Sequence, residues 1–227
     1  MTYNEVIAAL QQHADPRAVE GMARFGIRSA HVLGISIPVL RKMAKELGKD
    51  HALAVELWAS GLHEARILAS MVDDPRLISE EQMEAWVADF DAWDVCDQVC
   101  GNLFDKTPYA YQKAVEWCHR EQEFVRRAGF VLMAELAVHD KQAVDEAFLP
   151  FFPLIKQYAT DERNFVKKAV NWALRQIGKR NARLRVAAIE WAEEIGAMDA
   201  RAARWIARDA LKELRAWTAP EDSDEMA

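Results

Sequence analysis

Two residues four positions apart, Trp93 and Asp97, form the pair in this chain that is best suited to chemistry. Residues at this spacing share one stripe of a helix, and apolar residues recur at helical spacing through the same segment. The pair lies at the edge of that apolar arc, so the carboxylate is predicted to be partly shielded from water beside an indole. A carboxylate in that setting can stabilise positive charge that develops on a substrate. The alternative is a helix-edge aspartate beside a half-buried tryptophan, with no catalytic role.

The helical wheel of this segment also predicts which neighbouring side chains are buried. Positions 92, 96, 99, 100 and 103 fall on one apolar arc and are expected to face the core. Asp91, Asp94 and Gln98 fall on the opposite side and are expected to be solvated.

A second informative segment is the helix predicted over residues 162–178. Its apolar residues form one stripe, and Trp172 lies outside that stripe on the polar face. Lys168 lies four residues before the indole, Arg175 three after it, and Lys179 one further turn along. This cluster suits nucleic acid, because cations bind phosphate and an indole packs on sugar or base. The alternative is a tryptophan covered by the next helix, with cations that are only solvated.

Arg126 and Arg127 begin an otherwise apolar helix predicted over residues 122–138. The guanidinium group has a fork of donors that fits phosphate, so either arginine is a candidate phosphate ligand. The alternative is an ion pair with an acidic neighbour. Which of the two arginines faces a binding surface is left open by the sequence.

The composition is that of a globular helical protein. Of 227 residues, 51% are hydrophobic and 29% are charged, with nine glycines and seven prolines. There is no apolar run of about 18 residues, so no membrane span is expected. The first residues lack the pattern of a signal peptide, and three cysteines suit a reducing compartment, so a cytoplasmic location is expected.

Charge is unevenly distributed along the chain, although the net charge is only −7. Residues 161–186 contain eight basic and two acidic residues, whereas residues 71–97 contain nine acidic residues and one basic residue. The sequence therefore predicts a basic side, suited to nucleic acid, and an acidic side.

Neither a metal nor a cofactor is predicted. Cys96 and Cys100 lie one helical turn apart, but both belong to the apolar arc, so core positions are favoured over metal ligation. The sequence contains no glycine-rich phosphate loop, no H-E-x-x-H and no G-x-S-x-G motif.

The predicted fold is all-α. Apolar periodicity indicates helices throughout, including one over residues 141–158, and Ser79 to Gln82 has the spacing of a capping box. Residues 125–132 resemble residues 166–173, an offset near 40 that is typical of HEAT-like repeats. We therefore expect a single HEAT-like helical-repeat solenoid over residues 1–219, with a concave DNA-binding face, followed by an acidic, disordered tail at 220–227. Helical pairs packed less regularly are the alternative.

These segments together resemble the DNA alkylation repair family of AlkD-like HEAT-repeat alkylpurine DNA glycosylases, over about residues 5–195. The matching motifs are M-A-R-F at 22–25, L-G-I at 33–35, W-D-V-C-D at 93–97, R-R-A at 126–128 and K-A-V-N-W-A-L-R at 168–175. The tryptophan–aspartate motif and the lysine–tryptophan–arginine motif, in this order, are fairly specific together. One departure is Phe25, where the family pattern leads us to expect a tyrosine; the resemblance still makes Phe25 a candidate DNA contact, without the hydroxyl group.

The resemblance implies hydrolysis of the N-glycosidic bond of cationic alkylated purines, such as 3-methyladenine and 7-methylguanine, in double-stranded DNA. It implies that Asp97 stabilises the cationic sugar, that Trp93 and Trp172 pack against sugar and backbone, and that Arg127 holds a phosphate. A monomer is expected. Two other functions remain open: non-catalytic binding of damaged or branched DNA, and a protein-interaction scaffold.

Overall fold

The computed structural model describes residues 1–27, 29 and 31–217, and all regular structure in this part of the chain is helical. None of these helices combines the length and the apolar character that a membrane span requires. Two short 3-10 turns, at Phe104–Lys106 and Asp145–Ala147, accompany the α-helices. The α-helices assigned in the described residues are α1 (Tyr3–Gln12), α2 (Pro16–Arg24), α3 (Ile37–Leu47), α4 (His51–Ala59), α5 (His63–Val72), α6 (Glu80–Ala88), α7 (Trp93–Asn102), α8 (Ala110–Cys118), α9 (Glu123–His139), α10 (Phe151–Tyr158), α11 (Asn164–Gly178), α12 (Ala182–Gly196) and α13 (Arg201–Ala216).

The chain divides into two compact units, the first spanning Met1–Tyr109 and the second beginning at Ala110. The single repeat domain over residues 1–219 stays a prediction. The expected acidic tail at 220–227 lies outside the described residues.

In the first unit, α5 packs against α3, α4 and α7. An aromatic cluster fills the adjoining core: the Trp58 and Trp86 rings stack with centroids 4.0 Å apart, and Phe90 and Phe104 pack beside them. The apolar arc predicted for α7 is confirmed, because the side chains at positions 92, 96, 99, 100 and 103 are all fully buried.

The second unit is built from the helix pairs α8–α9, α10–α11 and α12–α13, with α9, α11 and α13 packed in succession. The two similar sequence segments occupy the same place in α9 and α11. Val125 and Val166 are buried in the first turn of each helix, and Ala128 and Ala169 are buried one turn later. Gly129 allows α8 and α9 to approach closely, because a Cβ there would lie 2.7 Å from the backbone nitrogen of Cys118.

The helix predicted over residues 141–158 is wrong in its first half, because α10 begins only at Phe151. Asp140 Oδ1 accepts hydrogen bonds from the backbone N–H groups of Gln142 and Ala143, and this local turn competes with helix formation. Pro150 also disfavours a helical conformation at the residue before it.

The capping box predicted at Ser79 is only half formed. Ser79 Oγ accepts a hydrogen bond from the Gln82 backbone N–H at 3.2 Å, but Gln82 Nε2 donates to Asp73 Oδ2 instead of returning to Ser79. The Gln82 side chain therefore ties the start of α6 to the end of α5.

The buried carboxylate of Glu64, in the first turn of α5, organises the loop before α3. Its oxygens accept hydrogen bonds from the backbone N–H groups of Leu33, Gly34 and Ile35, at 2.8, 2.6 and 3.2 Å. Gly34 has a φ of +83°, and a Cβ there would lie 2.3 Å from the Asp15 carbonyl oxygen. The loop conformation thus depends on glycine at this position and on a carboxylate beneath it.

We predict that Glu64→Gln destabilises the protein by about 1–3 kcal/mol, the usual effect of leaving buried donors without an acceptor. The amide keeps the side-chain size but can place an NH₂ group against backbone donors. Urea denaturation measures the effect, with the exposed Glu56→Gln as the matched control. Equal midpoints for the two variants would contradict the role given to Glu64.

Candidate functional site

In the first unit, Trp93 and Asp97 lie one turn apart on α7, and both are partly buried. The indole Nε1 of Trp93 donates a hydrogen bond to the carbonyl oxygen of Phe25, at 3.1 Å. Phe25 is the C-cap of α2 and is 73% exposed. The structure therefore brings Phe25, predicted to contact DNA, against the first residue of the helix that carries Asp97.

Asp94 was expected to be solvated, and this prediction is wrong. The carboxylate is only 14% exposed, and its Oδ2 lies 2.8 Å from Nε2 of the fully buried His63. The reason is that α7 packs against α5 on this side, so a helical wheel with one buried arc is too simple. Asp94 Oδ1 is also buried and makes no hydrogen bond to the described residues.

The ion pair between His63 and Asp94 fixes the first turn of α7. Burial by itself would lower the pKa of His63, but the hydrogen bond to Asp94, with further attraction from Glu64 and Asp91, raises it. His63 Nδ1 also lies 3.4 Å from Ser29 Oγ, in the loop that follows α2. Because Asp94 lies in the first turn of α7, directly after Trp93, this pair holds the start of α7 against α5.

In the second unit, Arg126 forms an ion pair inside the unit, which is the alternative that the sequence left open. Its Nη1 lies 2.9 Å from Asp161 Oδ2, its Nε donates to the Cys118 carbonyl oxygen, and its guanidinium lies 4.7 Å from the Tyr158 ring centroid. Burial opposes ionisation of Asp161, but bonds from Arg163 and Arg126 lower its pKa to about 2.

Arg127 is 5% exposed and donates from Nη1 to the Phe165 carbonyl oxygen at 2.5 Å. This bond ties α9 to α11 and fixes the direction of the guanidinium group. The two neighbouring arginines therefore bind different parts of the second unit: Arg126 binds Asp161, before α11, and Arg127 binds the first turn of α11.

The cluster around Trp172 lies on α11, as predicted, but two of its three cations form ion pairs with a carboxylate. Lys168 is exposed, and Trp172 is partly buried. Arg175 and Lys179 both bind the carboxylate of Glu213 on α13, Lys179 at 2.6 Å. Burial opposes ionisation of Glu213, but these two cations lower its pKa. Two of the three predicted phosphate ligands thus already share a carboxylate.

Most other cations of the predicted basic segment are also engaged within the second unit. The partners are carboxylates or backbone carbonyls: Arg163 binds Asp161, Arg180 binds the carbonyls of Ala137 and Ala143, Arg183 binds Glu146, and Arg185 binds the carbonyl of Trp217. Among the described residues, only Arg163, Arg175 and Lys179 of these cations form partly buried ion pairs, and through them residues 161–186 present less free positive charge than their composition suggests.

The three cysteines lie in packed surroundings. Cys96, Cys100 and Cys118 are buried and carry free thiols. Cys118 Sγ donates to the Ala114 carbonyl oxygen at 3.0 Å, and burial raises the pKa of this thiol. These are the surroundings of packing residues.

Sequence reasoning missed His63, Glu64 and Glu213. His63 and Glu64 are consecutive polar residues at the start of a helix that is otherwise buried, and this is the one local signal that was available. Glu213 gave no signal, because it lies 34 residues from the nearer of its two basic partners.

We predict that the stability contributed by His63 depends on pH. The folded-state pKa of His63 is raised, so its contribution is fully present below the unfolded value of about 6.5 and is lost as the pH rises through the folded-state value. The difference in unfolding free energy between wild type and His63→Asn should therefore shrink from acidic to alkaline pH, measured by urea denaturation. His13→Asn, at an exposed histidine, is the control. A difference that is constant with pH would contradict the ion pair.

The described fold and these residues can be compared with known proteins. The family model described as DNA alkylation repair enzyme matches residues 6–214. The uncharacterized protein Lin0241 of Listeria innocua is 25% identical over 200 residues, which cover 86% of this chain and 87% of that protein.

A solved structure gives a strong match to the fold. It represents a new family of proteins related to the HEAT-like repeat DNA glycosylases with affinity for branched DNA structures. The TM-score is 0.78 at 21% identity, over 92% of this chain and 94% of that chain. This confirms the predicted all-α, HEAT-like repeat fold. Because the family model spans most of the sequence, the chain belongs to the DNA alkylation repair enzyme family.

Proposed function

We propose that this protein is a DNA glycosylase that hydrolyses the N-glycosidic bond of cationic alkylated purines, such as 3-methyladenine and 7-methylguanine, in double-stranded DNA. The observation that carries the proposal is the arrangement on α7. Asp97 is partly shielded from water, one turn from a tryptophan whose indole is fixed by the Phe25 carbonyl. Membership of the DNA alkylation repair enzyme family supports it.

The chemistry assigned to Asp97 is electrostatic. A cationic purine is already an activated leaving group, so it departs with the electron pair of the glycosidic bond and needs no proton. Positive charge then develops on the deoxyribose, where the Asp97 carboxylate stabilises it and orients a water molecule. The water oxygen bonds to the sugar carbon, and the proton that it releases goes to solvent. The neutral base leaves.

Trp93 is the second contributor in this proposal. An indole face attracts cationic character, so it favours a sugar that becomes positive. The hydrogen bond to Phe25 and the adjacent pair of Asp94 with His63 hold the ring in place before substrate arrives. Because the ring is already in place, no free energy is needed to reorient it as the reaction proceeds.

Arg127 and Trp172 are assigned to DNA contacts, phosphate for the arginine and sugar or backbone for the indole. Their convergence with Trp93 and Asp97 on one concave face stays a prediction. Among the cations of α11, Lys168 is the best candidate for a phosphate contact, because it is exposed and makes no ion pair to the described residues.

A second candidate function is non-catalytic binding of branched DNA. A structurally similar protein belongs to a family with affinity for branched DNA. Base release from methylated DNA separates the two functions, since the binding protein would release none.

We predict that Asp97→Asn lowers the rate of base release on the order of 10²- to 10³-fold, as is typical for one preorganised electrostatic group. DNA affinity should change little, because the interaction strengthens only as the sugar becomes positive. The measurement is single-turnover release of 7-methylguanine at saturating protein. Asp91→Asn is the matched control, since Asp91 is exposed two residues before α7. Equal rates for the two variants would remove Asp97 from the mechanism.

We also predict that Lys168→Gln weakens DNA binding more than Lys179→Gln does. Lys168 is free to neutralise a phosphate, and its loss should reduce the slope of log K against log salt by about 0.9. Lys179 is only 23% exposed and already bound to Glu213, so its loss should change the slope less. Fluorescence anisotropy with an unmodified duplex gives both slopes. A flat salt response for the wild type would instead indicate a protein-interaction scaffold.

A further inference from the structure

The second unit contains a basic cavity of about 490 Å³ that the proposed chemistry does not use. It lies where α11 and α13 pack together. Four cations, one indole and one carboxylate line it: Lys167, Arg201, Arg204, Arg208, Trp205 and Glu162. The charge pattern of the sequence did not reveal it, because α13 also carries two acidic residues that reduce its net charge.

The geometry of α13 places its cavity residues on one face. Arg201, Arg204 and Arg208 follow at spacings of three and four, and Trp205 lies among them, one turn from both Arg201 and Arg208. The opposite face is apolar and packs into the unit, with Ala203, Ile206, Ala210 and other side chains buried. The arginines therefore project away from the core, where they can meet a ligand.

The cations of this cavity are much less neutralised than those bound to Glu213. Arg201 and Arg208 are exposed, and neither forms an ion pair within the described residues. Arg204 pairs with Asp199 at 2.9 Å, but both side chains are largely exposed, so this bridge is weak and exchangeable. Lys167 Nζ lies 5.2 Å from the Trp205 ring centroid.

Glu162 opposes an anionic ligand less than its charge suggests. Its Oε1 accepts a hydrogen bond from the backbone N–H of Ala202 at 3.0 Å, in the first turn of α13. The start of a helix carries partial positive charge, which offsets part of the carboxylate charge. Four cations against one carboxylate leave the cavity positive, so its ligand is an anion.

We propose that this cavity binds the phosphodiester backbone of a DNA strand. Arg201 and Arg208 each bind a separate phosphate, and Trp205 packs against a sugar or base between them. The guanidinium group of arginine can donate two hydrogen bonds to phosphate oxygens, and an indole ring can stack on a nucleotide whatever its base. The two arginines are seven positions apart on the helix, about 10 Å along its axis, which suits a strand with repeated phosphates better than one free phosphate. The site extends the DNA contacts of the proposed function and relies on that function for its ligand.

The test compares DNA binding by the full chain and by Arg201→Gln/Arg208→Gln, with fluorescence anisotropy over a range of salt concentrations. Loss of two phosphate contacts should reduce the slope of log K against log salt by about 1.8 and weaken binding roughly 10- to 100-fold at moderate salt. The duplex is undamaged, so the result does not depend on base release. Failure of excision and failure of this site are therefore distinguishable.

The control is the charge-matched variant Lys156→Gln/Arg183→Gln, which removes two cations that pair with Glu194 and Glu146 outside the cavity. Equal slope changes in the two double variants would overturn the proposal, because the effect would then be one of net charge. Titration with inorganic phosphate forms the second arm. Phosphate binding that the arginine substitutions abolish, with an unchanged DNA slope, would also overturn the assignment to DNA.

A milder variant covers the case in which the double variant does not fold. Arg208→Lys keeps the charge but loses the fork of donors. It should keep the wild-type salt slope and still bind DNA several-fold more weakly, since a lysine makes a single point contact. Wild-type affinity in this variant would contradict an arginine–phosphate contact at position 208.

Discussion

Buried charge must be matched by buried partners, and the first turn of α5 meets this constraint twice. Glu64 is matched by three backbone N–H groups of the loop before α3, and His63 is matched by Asp94 on α7. One helical turn therefore holds both a loop of the first unit and the helix that carries the candidate catalytic residue. Trp93 is adjacent to Asp94, so its position also depends on that turn. The candidate site depends on this buried polar network as well as on the apolar packing around it.

The parts of the structure that the sequence predicted correctly are those that depend on local periodicity. The buried arc of α7 follows from spacing along one segment, and the repeat shared by α9 and α11 follows from the likeness of two segments. Neither inference requires knowledge of three-dimensional contacts. Asp94 was assigned to the wrong surroundings because its partner, His63, lies 31 residues earlier. The capping box at Ser79 is only half formed for a related reason. The Gln82 side chain donates its hydrogen bond to Asp73, at the end of α5, instead of returning to Ser79.

The count of charged residues along the sequence did not predict which cations of the second unit are free to bind DNA. The sequence placed Arg175 and Lys179 on a binding face, but both bind Glu213, one repeat along the chain. In a helical repeat, side chains of one helix regularly meet the corresponding helix of the next repeat, so a run of basic residues can be neutralised by a distant acidic one. Lys168 on α11 and Arg201 and Arg208 on α13 pair with no carboxylate among the described residues, so they are better candidates for DNA contact than Arg175 and Lys179.

The central claim is that the chain breaks a glycosidic bond and does not merely bind DNA. The most direct measurement is release of free 7-methylguanine from a methylated duplex by the wild-type protein, at saturating protein and in a single turnover, beside the same duplex without protein. We predict release well above the spontaneous rate, with the phosphodiester backbone left intact. Release at the spontaneous rate, from DNA that the protein has bound, would contradict it.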